Sequence, residues 1–159
     1  MSSTNNIAFT APINPSSPAL TRKQIWAGLL LKIRSAETFV PAAIQSTTVL
    51  SESVDPATGN SVTVREVLFR ETQRKVQETV TAFEDCRVEF AQPDGSRVSN
   101  VISEGANGEL FMTYIFEWRH PGVSKEELEA LLEKEKKMSQ MAVEGTIKVL
   151  RELVQQGKL

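Results

Sequence analysis

Three polar side chains, Glu66, Glu78 and Asn100, interrupt otherwise apolar strand patterns in the middle of this chain. Tyr114 brings a hydroxyl to the same face. The inference rests on alternation, since successive side chains of a strand point to opposite sides. In 110–118 the residues Leu110, Met112, Tyr114, Phe116 and Trp118 share one face. In 61–70 the matching set is Val62, Val64, Glu66, Leu68 and Arg70, and in 74–83 it is Val76, Glu78, Val80 and Ala82. Val98, Asn100 and Ile102 continue the pattern. A carboxylate sealed in a core without a partner costs several kcal/mol or shifts toward its neutral form. Glu66 and Glu78 must therefore pair with Arg70 or Arg74, reach a strand end, or line a wet pocket. A salt bridge at the rim of the sheet and a polar spot in a ligand cavity both satisfy that demand. In the second case Glu78, midway in its strand, is the first candidate for acid–base chemistry and Glu66 the second. Tyr114 or Asn100 would orient a carbonyl, and Arg70 or Arg74 would hold an acidic ligand or a developing enolate.

Other chemistry finds less support. His120 lies in a turn between Arg119 and Pro121-Gly122, where a lone histidine is ordinarily exposed or bonded to backbone. Cys86 is the single cysteine, so no internal disulfide forms, and it reads as a small inward apolar residue in a cytoplasmic protein. With one histidine and one cysteine no metal site is evident, and no glycine-rich phosphate or dinucleotide loop occurs. No cofactor is expected. A net charge of -2 argues against nucleic acid as the partner. No run approaches the ~18 apolar residues of a membrane span, and the N-terminus lacks a signal-peptide pattern.

The elements that must position these groups are legible in outline. Ile7, Phe9, Ala11 and Ile13 alternate as an edge strand that Pro12 helps to end. Thr21 with Gln24 forms a capping box at a helix start; Ile25, Leu29 and Ile33 lie on one face, and Lys32 is read as reaching solvent. A short helical piece follows over 36–40. Thr47–Ser53 and five further strand-like segments, separated by turns such as Gln92-Pro93-Asp94-Gly95, favour an antiparallel meander. Ser124 with Glu127 caps a helix that runs to about residue 156, with Leu131, Met138, Ala142, Gly145, Val149 and Leu153 as its apolar stripe. The fold class is α+β: a curved antiparallel sheet of about seven strands, two short helices and a long C-terminal helix enclosing a cavity. Residues 1–5 read as a frayed tail, 6–156 as one domain and 157–159 as a C-terminal tail. Trp26, Phe39, Met138 and Met141 join Val64, Leu68, Asn100, Met112, Phe116 and Trp118 as candidate cavity walls.

With these residues in place the chain resembles the superfamily of START lipid-transfer domains, birch-pollen-allergen-like proteins and aromatic polyketide cyclases. More narrowly it is similar to a small fungal and bacterial family, once a domain of unknown function, whose members occur in fungal secondary-metabolite clusters such as the acetylaranotin cluster. Leu20–Leu29 (LTRKQIWAGL), Phe39-Val40-Pro41, Arg74–Val80 (RKVQETV) and Leu110–Trp118 (LFMTYIFEW) carry the match. The resemblance implies a helix-grip fold and a small hydrophobic or aromatic ligand, and it transfers no catalytic residue. A binding protein and a cofactor-free cyclase or isomerase both follow from it. An interaction module built on the long helix is the third class; it predicts a filled interior and an exposed apolar stripe. A monomer or a homodimer is compatible with all three.

Overall fold

A computed structural model describes residues 3–159. In chain order the elements are β1 (Thr4–Pro12), α1 (Arg22–Arg34), α2 (Ala36–Phe39), β2 (Ile44–Val54), β3 (Ser61–Phe69), β4 (Lys75–Phe83), β5 (Arg87–Ala91), β6 (Arg97–Glu104), β7 (Leu110–Arg119) and α3 (Lys125–Gln155). The strands form a single seven-stranded antiparallel sheet in the order β1-β7-β6-β5-β4-β3-β2. β2 to β7 follow one another as a meander, and β1 closes the far side by pairing with β7. Its ladder starts at Thr4, so Thr4 and Asn5 are strand rather than frayed tail; residues 1 and 2 lie outside the described set.

Helices α1 and α3 both start as their sequences dictate. The Thr21 hydroxyl accepts from the Gln24 amide while the Gln24 side chain accepts from the Thr21 amide, and Ser124 and Glu127 make the same exchange at α3. Each box satisfies two amides that the first helical turn leaves open. α3 lies across the inner face of the sheet, with Val143, Ile147, Leu150 and Leu153 packed against residues from the sheet and from α1. Gly28 of α1 sits directly against the Leu150 side chain, which explains a glycine inside a helix.

The face of α3 that turns inward overlaps the expected stripe only in part. Glu135, Ser139, Val143, Thr146, Ile147, Leu150 and Leu153 are buried, whereas Met138 and Met141 are 49% and 66% exposed. The two methionines are therefore not cavity walls. Ala142, Val149 and Leu153 of that stripe do pack on the core, while the inward face also takes in polar Glu135, Ser139 and Thr146, so hydrophobicity alone marks only part of it. β3 shows the same effect. Thr63, Arg65 and Val67 face inward, and Val64, Glu66 and Leu68 take the other face. The register explains the phase: Arg65 stands directly opposite Glu78 on β4, and Glu66 opposite Gln77.

Candidate functional site

The inner face of the sheet carries one connected polar group beneath α1 and α3. Arg65 donates from Nε (3.0 Å) and Nη2 (2.8 Å) to Glu78 Oε1, and Gln92 reaches Glu78 Oε2 at 3.3 Å. Nη1 of Arg65 donates to the carbonyls of Lys32 and Ile33 at 3.0 and 2.9 Å, which fixes the last turn of α1 to the sheet. Those carbonyls are among the acceptors that a helix end leaves open. Lys32 thereby enters the interior. Its Nζ donates to Asn100 Oδ1 at 2.7 Å and lies 4.9 and 5.1 Å from the ring centroids of Tyr114 and Phe90. The Arg65 guanidinium sits 4.7 Å from the Phe90 ring centroid. Tyr114 donates its hydroxyl to Thr146 of α3 at 2.7 Å.

Burial sets the proton chemistry of this group. Removal from water, with the Arg65 charge beside it, lowers the Lys32 ammonium from its ordinary 10.5 to about 7, and Glu78 opposes the fall. Lys32 therefore stands near half protonation at neutral pH. Burial raises the Tyr114 phenol well above its usual range, with the Thr146 hydrogen bond opposing, so it stays a neutral donor. Asn100 is fully buried, and its Nδ2 has no hydrogen-bond partner among the described residues.

Of the residues expected from sequence, Glu78, Asn100 and Tyr114 come together here, with Met112 and Phe116 on the same inner face. Trp118 continues that face and stacks on Phe116 at 5.7 Å. Trp26 and Phe39 are buried in the helical wall. Glu66 is not part of the group; it faces away from the core and pairs loosely with Lys75 at 3.8 Å. Val64 and Leu68 share that outer face. Arg70 is exposed and donates to the Pro41 carbonyl at 3.0 Å, and Arg74 is exposed as well, so neither reaches Glu78. Cys86 is exposed rather than inward. His120 belongs to a separate clasp, with Nε2 2.9 Å from Glu135 Oε2 while Asn5 donates to Glu135 Oε1 at 2.7 Å. Sequence reasoning missed Arg65 and Lys32. The spacing did place Lys32 on the Ile25–Leu29 stripe, three residues after Leu29.

Around this group the interior is closed, so the cavity expected from sequence is not open there. Met112, Asn100, Val143 and Leu150 are 0% exposed, so no water-sized space touches them. Two open grooves lie elsewhere. One of about 450 Å³ runs along the start of α3 beside Val123, Leu131 and Lys134, and one of about 400 Å³ lies between β1 and α3 beside Phe9, Lys136 and Gln140. Among the described residues no three His, Cys, Asp or Glu side chains gather as a metal site, and no helix is long and apolar enough to cross a membrane.

A seven-stranded sheet gripping a long C-terminal helix, with two short helices at one end, defines the Bet v 1-like, or helix-grip, class. Solved structures agree. The di-domain ARO/CYC StfQ from the steffimycin biosynthetic pathway superposes with a TM-score of 0.62 at 4% identity, over 96% of this chain and 52% of that one. This chain thus spans about half of the di-domain protein. Ara h 8.0201 superposes with a TM-score of 0.56 at 11% identity over 96% of this chain and 99% of that one. XoxI from Bacillus cereus gives 0.53 at 15% identity over 96% and 94%. Among curated proteins no sequence matches. Residues 7–157 match the model of the AtaL family, described as acetylaranotin biosynthesis cluster protein L, and the chain belongs to that family.

Proposed function

We propose that the chain takes a small hydrophobic or aromatic metabolite between the inner face of the sheet and α3, and catalyses a proton transfer on it of the cyclase or isomerase kind. The observation that carries this is Lys32: an amine held over two aromatic rings in a dry interior, near half protonation at neutral pH. A proton-transfer group works best when its pKa lies near the working pH. Glu78, the first candidate from sequence, has both oxygens engaged by Arg65 and Gln92 and acts as the anchor that sets Lys32 in place. A family named for a biosynthesis cluster and a likeness to an ARO/CYC protein support a role in secondary metabolism. The free, exposed Cys86 fits a reducing, cytoplasmic setting. Because the interior is closed around this group, uptake requires α3 to part from the sheet.

The test is retention and turnover together. Native mass spectrometry of the purified chain should show an apolar molecule bound, and extracted pathway intermediates should be converted by the wild type and not by Lys32→Met. The variant should still retain the ligand. Retention without conversion in the wild type would leave a carrier, and no retention at all would overturn the reading. A second reading, an interaction surface on α3, is favoured by the close packing around Asn100, Met112 and Leu150 and by exposed Met138 and Met141. Against it, Lys134, Lys137 and Glu144 flank the pair at helical spacing, so the apolar patch is short. Association on α3 would appear as an oligomer in sedimentation that Met141→Glu dissolves.

A further inference from the structure

We infer that Asn100 is the docking point for a carbonyl oxygen of the ligand, with Lys32 beside it to move a proton on the adjacent carbon, so that the molecule taken up is an enolisable aromatic or apolar ketone. This rests on the reading above and narrows it to a substrate class. A buried amide donor without a partner is uncommon in native interiors, because it gives up its hydration with nothing in return. Asn100 Nδ2 is such a donor, at a residue that is fully buried. Its orientation is set by chemistry: the ammonium form of Lys32 can only donate, which turns Oδ1 toward Nζ and leaves Nδ2 on the other side of the amide. Asn100 stands opposite Tyr114 on one neighbouring strand and Val88 on the other, so a molecule reaching Nδ2 meets aromatic and aliphatic surface. An acceptor oxygen on an apolar frame satisfies both requirements. A carboxylate would suit the nearby cations, but Arg65 already has Glu78 as its counterion.

The pairing with Lys32 gives the oxygen a chemical role. The neutral amine takes a proton from the carbon next to the carbonyl; the C–H bond breaks, its electron pair forms the C=C bond, and the C=O pair moves to oxygen. Asn100 Nδ2 donates to that oxyanion, and the ammonium returns its proton to a carbon of the same molecule, so protons and electrons balance with no further reactant.

The probes are 2-acetylnaphthalene, which carries the ketone, and 2-ethylnaphthalene, which has the same frame without it. By calorimetry the wild type should bind the ketone about tenfold more tightly, the worth of one good buried hydrogen bond. Asn100→Leu should bind both alike. If that variant fails to fold, Asn100→Asp keeps an acceptor for Lys32 while removing the donor, and it should lose the preference too. In deuterated buffer the wild type should speed exchange into the acetyl methyl group, and Lys32→Met should not. Equal binding of the two probes by the wild type, a preference surviving in the variants, or wild-type binding of the ketone without faster exchange would overturn the inference and leave the pocket standing. Failure of both probes to bind would overturn the pocket reading and the inference with it.

Discussion

Glu78→Gln puts the central arrangement at risk in a measurable way. The substitution keeps size and one acceptor oxygen but removes the charge that faces Arg65, whose side chain is 4% exposed against 8% for Glu78. Removing one partner of a buried ion pair costs about 3–5 kcal/mol, because the remaining charge stays desolvated. The glutamine oxygen can still accept from Nε or Nη2, and Nη1 keeps the Lys32 and Ile33 carbonyls, so the lower end applies, about 3 kcal/mol. At a urea slope of roughly 1–3 kcal/mol per molar the midpoint should fall by about 1–3 M, read from tryptophan fluorescence and circular dichroism together. A cycle with Arg65→Met separates the pair from the rest and should give a coupling of at least about 2 kcal/mol. Because Glu78 raises the Lys32 pKa, the variant should also shift any Lys32-dependent pH profile to lower pH. A coupling below about 0.5 kcal/mol would refute the reasoning, since contacting buried charges cannot be that independent.

Two further outcomes follow from the same interior. The folded-state pKa of Lys32, about 7, lies below its unfolded value, so between pH 7 and about 10 the unfolded chain binds more protons and stability rises with pH. Relative to Lys32→Met, the unfolding free energy of the wild type should climb by up to about 1.4 kcal/mol per pH unit across that window, and a parallel pair of curves would count against a buried amine. At Gly28 an added Cβ would collide with Leu150 Cδ2, and Leu150 is fully buried with no room to retreat. Gly28→Ala should therefore destabilise by about 1–2 kcal/mol despite the better helix propensity of alanine, and a rise in melting temperature would contradict that packing.

Much of the fold was legible because its signals are local. The capping boxes at Thr21 and Ser124 and the alternation of Leu110–Trp118 depend only on nearby residues, and each element formed where expected. The site was legible only in part. Glu78, Asn100 and Tyr114 stand out as polar groups in apolar strands. Arg65 does not, since the apolar Val62, Val64 and Leu68 outvote it and suggest the opposite phase for β3. Contacts distant in sequence set that phase: Glu78 across the hairpin and the end of α1 for Arg65, and Ala36 and Ile44 for Val67. The same holds for α3, where Glu135 is met by Asn5 and His120 and Thr146 by Tyr114. Buried polar residues are chosen by distant partners, which periodicity does not see.

The placement of β1 bears on how the chain assembles. Its first residues pair with the end of β7, Thr4 with Arg119, so this strand has no strand neighbour until almost the whole meander exists. Such distant pairing slows folding. Until β1 arrives, β7 presents a bare edge whose sequence, LFMTYIFEW, is apolar and rich in aromatics, the kind of template on which other chains add as strands. The N-terminal nine-residue strand is thus also a cover, and a chain trimmed of it should be lost to aggregation before it is lost to unfolding.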